Sequence, residues 1–127
     1  MKKWFCLVLF FPLLFTACAA KPPEKGVYQK ISPEEAKQMM DSDAAYILLD
    51  VRTEEEFAEG HIAGAILIPD YELAEHAASE LPDKSARILL YCRSGRRSAN
   101  AANLLIELGY TNVYDFGGIL DWPYDRE

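Results

Sequence analysis

One six-residue stretch concentrates the reactive chemistry of this sequence: Cys92-Arg93-Ser94-Gly95-Arg96-Arg97. A thiol attacks as the thiolate, and positive charge and amide donors close by favour that form. Three of the six arginines fall at positions 93, 96 and 97, although the whole chain carries a formal charge of −7. Positive charge gathered locally against a negative background marks a site for a small anion. Ser94 and Gly95 can turn sharply, so successive backbone N–H groups converge on one point. The dipole of a helix opening at Ser98 aims at the same place. Cys92 is therefore the candidate nucleophile, with Arg93, Ser94, Gly95, Arg96 and Arg97 as candidate substrate-binding residues. A buried structural cysteine is the alternative, and the neighbouring arginines argue against it.

Such a loop needs rigid elements on either side, and the flanking pattern supplies them. Arg87 to Tyr91 is an apolar run of the kind found in strands covered on both faces. Ser98 to Leu108 reads as a helix with Gly109 as its left-handed stop. Tyr46 to Leu49 is a second buried strand, and Asp50 and Arg52 follow it. Shorter strands are expected at Val27 to Ile31, Ala65 to Ile68 and Val113 to Phe116. Ser32-Pro33-Glu34-Glu35 and Thr53 with Glu56 have the capping-box spacing and start helices that run to about Met40 and to Gly60. A further helix is expected from Tyr71 to Leu81, closed by Pro82. Strands alternating with helices give an α/β domain with a mostly parallel sheet covered on both faces. Ligands of such sheets bind at the carboxyl ends of the strands, where Cys92, Asp50 and Arg52 all lie. Asp50 and Arg52 either support the loop and orient its ligand or brace the local turn.

The chain has 127 residues, half of them hydrophobic, which is room for one compact domain. That composition excludes a disordered or fibrous protein, and the negative charge excludes electrostatic binding to nucleic acid. His61 and His76 have no metal-ligand spacing, and His61 reads as a packing or turn-capping residue. Glu54 to Glu56 read as a solvated helix start, and Tyr110, Tyr114 and Trp122 as core.

The first residues read as an export address. Met1-Lys2-Lys3 is basic, Trp4 to Phe15 is free of charge, and Thr16-Ala17-Cys18 precedes a polar run. Phe15-Thr16-Ala17-Cys18 resembles a bacterial lipobox, with Phe15 where that motif usually has Leu. The resemblance implies cleavage after residue 17 and lipid on Cys18. An uncleaved anchor is the alternative, since Trp4 to Ala20 approaches the length of a membrane span. Either way the domain sits outside the cytoplasm and is tied to a membrane. Residues 18–26, with Pro22-Pro23, form a tether, and 27–127 form the domain. Loss of Lys2 and Lys3 from a charge of −7 leaves −9. With Cys6 removed and Cys18 acylated, Cys92 is the one free thiol.

Leu49-Asp50-Val51-Arg52, Glu59-Gly60-His61-Ile62-Ala63-Gly64-Ala65 and Ile68-Pro69 resemble the first half of a rhodanese-like domain. Tyr91-Cys92-Arg93-Ser94-Gly95-Arg96-Arg97-Ser98-Ala99, with Gly117-Gly118 and Trp122, resembles its second half. The likeness runs from about Val27 to the last residue. It implies a three-layer α/β fold and a sulfurtransferase of the thiosulfate type, without cofactor or metal. Cys92 would take sulfane sulfur from an anionic donor, hold it as a persulfide and pass it to cyanide or a thiol. The family further implies that the amides of Arg93 to Arg97 cradle the persulfide while the arginine side chains hold the donor. Members resembling dual-specificity phosphatases carry Cys-x5-Arg. Here Arg97 gives the shorter Cys-x4-Arg, which suits sulfur better than phosphate. A different kind of reading is a rhodanese fold that binds an anion or a partner protein without turnover.

Overall fold

The computed structural model describes residues 26–127. The export segment 1–17 and nearly all of the 18–26 tether lie outside the described residues. Strands β1 (Gln29–Lys30), β2 (Ile47–Asp50), β3 (Ile66–Leu67), β4 (Ile88–Cys92) and β5 (Val113–Gly118) alternate with helices α1 (Pro33–Asp41), α2 (Glu54–Glu59), α3 (Leu73–Glu80) and α4 (Arg96–Glu107). The strands form one sheet in the order β1-β5-β4-β2-β3, and every pairing between them is parallel. The mostly parallel sheet expected from the apolar runs is thus wholly parallel among the described residues, apart from an isolated antiparallel bridge between Ile62 and Arg126.

Alternation along β4 builds the three layers. Leu89 and Tyr91 point to one face and join Ala36 of α1, Phe116 and Trp122. Ile88, Leu90 and Cys92 point to the other and pack with Leu73 and Ala77 of α3 and Ala101, Ala102 and Leu105 of α4. Burial on both faces is the reason β4 and the Ile47–Leu49 part of β2 are apolar without a break. Both capping serine and threonine positions act as their spacing suggests: Ser32 Oγ accepts from the Glu35 amide, and Thr53 with Glu56 completes a reciprocal box. Among the described residues no helix is long and apolar enough to cross a membrane.

Several boundaries differ from expectation. The edge strands β1 and β3 shrink to two residues each, because each finds a partner on one side only. The 71–81 helix divides into a 3₁₀ turn, Asp70–Glu72, and α3, since Pro69 and the Asp70 carboxylate on the Tyr71 amide hold a tighter turn first. Most relevant to function, α4 opens at Arg96 and not at Ser98. Gly95, with φ of +105°, is its N-terminal flanking residue, a conformation that costs glycine little.

Tyr110 ties the layer of α3 to the sheet. It is buried, and its hydroxyl reaches the carbonyls of Ala77 at 2.9 Å and Leu81 at 2.7 Å. Tyr110→Phe removes that donor from an interior position. The expected loss is about 1 kcal/mol, or roughly 4–8 °C in Tm, measured by thermal unfolding.

Candidate active site

The site begins with a break in the ladder between β4 and β5. Leu90 pairs with Asp115, but Cys92 pairs with Gly118, so β5 holds one residue more than β4 over this interval. Gly117 absorbs the bulge with φ of +88° and donates its amide to the Asp115 carboxylate at 2.9 Å. The displaced Gly118 lies directly beneath the loop that follows Cys92. A side-chain carbon on Gly118 would overlap the Arg93 carbonyl and crowd Ser94. The Leu120 amide donates to the same carbonyl at 3.2 Å. These contacts press the loop down onto the strand end.

The Cys92 thiol sits under that loop, with the residue only 1% exposed. Its Sγ accepts from the Gly95 amide at 3.0 Å. Ser98, fully buried, places its Oγ 3.5 Å from the sulfur, and the same hydroxyl reaches the Gly95 carbonyl at 3.1 Å and that of Gly117 at 3.3 Å. Of the amides from Arg93 to Arg97, the one at Gly95 reaches the sulfur. The helix N-terminus of α4 starts directly beyond it, so its dipole favours negative charge at this point.

The arginines separate into distinct environments. Arg93 and Arg96 are exposed. Arg97 turns to α2 and forms a two-pronged ion pair with Glu56, at 2.7 Å and 2.9 Å. Its guanidinium, expected from the family resemblance to hold a donor, is already occupied by a carboxylate. The Arg97 hydrogen bonds hold the Glu56 carboxyl down at about 2, from an ordinary 4.5, against the opposing pull of burial. Glu56, expected to be only a solvated cap, thus serves α2 and the loop together. Thr53 and Glu56 reveal the cap by their spacing, but a partner 41 positions away leaves no local pattern.

Asp50 and Arg52 form a buried pair of their own. Arg52 Nη2 lies 2.7 Å from Asp50 Oδ2, and the Arg52 amide donates to Oδ1 at 2.9 Å. The same Nη2 donates to the Gly60 carbonyl at 2.7 Å, and the guanidinium lies 5.6 Å from the Tyr91 ring centre. Burial works against the charge on Arg52, and the Asp50 carboxylate outweighs it, so the proton is held more firmly than usual. Of the two roles open to this pair, the contacts are those of a brace spanning β2 to the end of α2. His61 stacks on Phe57 with ring centres 3.8 Å apart, as a packing residue does. Tyr110 and Trp122 are core, and Tyr114 packs against it.

Two clefts flank the loop at the carboxyl end of the sheet. One, of about 710 Å³, is lined by Arg52, Arg93, Leu120, Arg126 and the glutamates 56, 59 and 127. The other, of about 390 Å³, is lined by Lys30, Ser94, Gly95, Arg96, Gly117 and Asp121. Together they give an anion-directed loop two approaches, both with carboxylate as well as guanidinium groups.

A parallel α/β sheet with a thiol under a glycine-turned, arginine-rich loop defines a recognisable class. Residues 32–123 match the Rhodanese-like domain. The chain is 42% identical over 78 residues to the thiosulfate sulfurtransferase PspE of Escherichia coli (strain K12), which covers 61% of this chain and 75% of that protein. It is 33% identical over 91 residues to the thiosulfate sulfurtransferase GlpE of Pseudomonas aeruginosa (strain LESB58), covering 72% and 79%. Among solved structures, a rhodanese with anions from E. coli shares the fold at a TM-score of 0.62 and 38% identity, over 65% of this chain and 98% of that one. The chain belongs to the rhodanese-like family, whose named relatives here are sulfurtransferases.

The Glu56–Arg97 pair gives an acid-dependent expectation. A carboxyl whose pKa falls on folding contributes its stability fully above its unfolded value, near 4.5, and loses it as the pH drops toward 2. Glu56→Gln removes that contribution. Because the pair is partly exposed, the difference from the parent protein is about 1 kcal/mol or less at neutral pH. Urea unfolding of the two proteins should show this gap narrowing between pH 4.5 and 2.

Proposed function

We propose that this chain is a membrane-tethered, extracytoplasmic sulfurtransferase that works through a persulfide on Cys92. The observation that carries the reading is the Gly95 amide 3.0 Å from Sγ, at the carboxyl end of β4 and the opening of α4. The thiolate attacks the outer sulfur of a thiosulfate-like donor. The bond from that sulfur to the sulfonate breaks, and sulfite leaves with the electron pair. Negative charge then rests on the outer sulfur of the persulfide, where loop amides and the dipole of α4 favour it. Cyanide or a thiolate attacks this sulfur, and the electron pair returns to Cys92. Charge balances in both halves, and no cofactor is needed. Arg93 and Arg96 are the exposed guanidinium groups that would draw the anionic donor, with Ser94 and Gly95 shaping its seat. Arg97 acts by holding the loop to Glu56. A similar solved structure, a rhodanese with anions from E. coli, agrees with an anionic ligand for this fold. The Cys18 lipid, cleavage after residue 17 and placement in a bacterial envelope rest on the N-terminal sequence.

A non-catalytic module for an anion or a partner protein is the second reading. Near-complete burial of Cys92 favours it, since a residue 1% exposed offers a donor little surface to meet. Incubation with thiosulfate separates the two. Sulfur transfer predicts an added mass of about 32 Da on Cys92 and thiocyanate on addition of cyanide, both abolished in Cys92→Ser. Anion binding with no gain in mass supports the binding module. For the anchor, palmitate labelling is expected in the parent protein and absent in Cys18→Ala; labelling that persists in the variant rejects the lipobox.

A further inference from the structure

The larger cleft beside the loop has a charge pattern that a thiosulfate-like dianion does not explain. Two of its charged groups are already matched: Arg52 by Asp50 and Glu56 by Arg97. Arg93, Arg126 and Glu59 form no ion pair among the described residues, and Glu127 meets only His61, at 3.7 Å. Two guanidinium groups and two carboxylates are thus left facing one space, with the exposed Leu120 on its wall.

Arg126 and the backbone that carries Glu127 are held in place. Arg126 Nη2 donates to the carbonyls of Ile119 and Trp122, which fixes the guanidinium beside the turn after β5 and leaves Nη1 and Nε unused by those bonds. The bridge from Ile62 to Arg126, with paired bonds between His61 and Glu127, anchors the same segment. Glu59 is the last residue of α2, where the helix carbonyls are themselves negative and the last turn has no basic residue. A dianion entering here gains two arginines but meets two carboxylates. A ligand with one carboxylate and one ammonium group satisfies both sets.

Resting on the sulfur-transfer reading, we propose that this cleft is the acceptor subsite and takes a small aminothiol that carries both a carboxylate and an ammonium group. Arg93 and Arg126 receive the carboxylate, Glu59 and Glu127 the ammonium. Arg93 is the link between cleft and sulfur, since it lines the cleft and adjoins Cys92 in the chain. The acceptor thiolate, its proton lost to solvent, attacks the outer sulfur. A new sulfur–sulfur bond forms, the bond to Sγ breaks, and the electron pair restores the Cys92 thiolate. The product is the acceptor persulfide, with no net oxidant consumed.

The experiment loads the full chain with thiosulfate, confirms the persulfide by intact mass, and measures its discharge at matched thiolate concentrations. The acceptors are L-cysteine, cysteamine, 3-mercaptopropionate and 2-mercaptoethanol. The expected second-order rate for L-cysteine exceeds the other three by about tenfold, the scale of one charge-assisted contact. Glu59→Gln should erase the preference over 3-mercaptopropionate, and Arg126→Gln the preference over cysteamine. Arg126→Lys, which keeps the charge, guards against a folding defect. Equal discharge by all four thiols, or a preference that neither substitution moves, overturns the subsite alone. Absence of any persulfide overturns the sulfur-transfer reading and the subsite with it.

Discussion

One surplus residue in β5 governs where everything reactive lies. If the β4–β5 ladder ran in register past Leu90, Cys92 would face Gly117; the bulge moves Gly118 there instead. With no side chain, Gly118 lets the Arg93 carbonyl and Ser94 settle against the sheet. That descent brings the Gly95 amide onto the sulfur and aims the first turn of α4 at the same place. The bulge itself is held by the Asp115 carboxylate, buried and bonded to the Gly117 amide. A backbone irregularity, and no side-chain acid or base, is what forms the pocket of positive potential around the thiol.

The arginines show how a chain of net negative charge keeps local positive fields from becoming indiscriminate. Two of them are neutralised by specific carboxylates: Arg52 in the interior by Asp50, Arg97 at the surface by Glu56. The Arg97–Glu56 pair joins α4 to α2, while the Asp50–Arg52 pair is local and aims Arg52 at the Gly60 carbonyl, so charge is used as a fastener. Of the arginines without such partners among the described residues, 93 and 96 line different clefts beside the loop. Identical residue types within four positions of one another therefore have separate duties, which spacing alone does not distinguish.

Much of the architecture was legible because it is locally encoded. Doubly buried strands appear as unbroken apolar runs at Ile47–Leu49 and Ile88–Tyr91, and the Thr53/Glu56 box appears as a spacing. The cysteine loop announces itself by composition. What escaped was tertiary. A serine ahead of a periodic stretch reads as a helix cap, yet the Ser98 hydroxyl serves Cys92, Gly95 and Gly117, and Gly95 flanks the helix start in its place. Glu56 looks solvated until Arg97 folds against it. Arg126 carries no motif, and its position depends on carbonyls in the turn after β5. Asp50 and Arg52 stood at the right strand end, but the bond from Arg52 to the Gly60 carbonyl is one that their spacing does not show.

The near-total enclosure of Cys92 has a consequence for its durability. Peroxides and other electrophiles must reach a sulfur before they can carry it to sulfinic or sulfonic forms, from which a thiol is not recovered unaided. With the residue only 1% exposed, the packing that seats the thiol also limits such encounters, so the side chain on which turnover would depend is shielded by its own site.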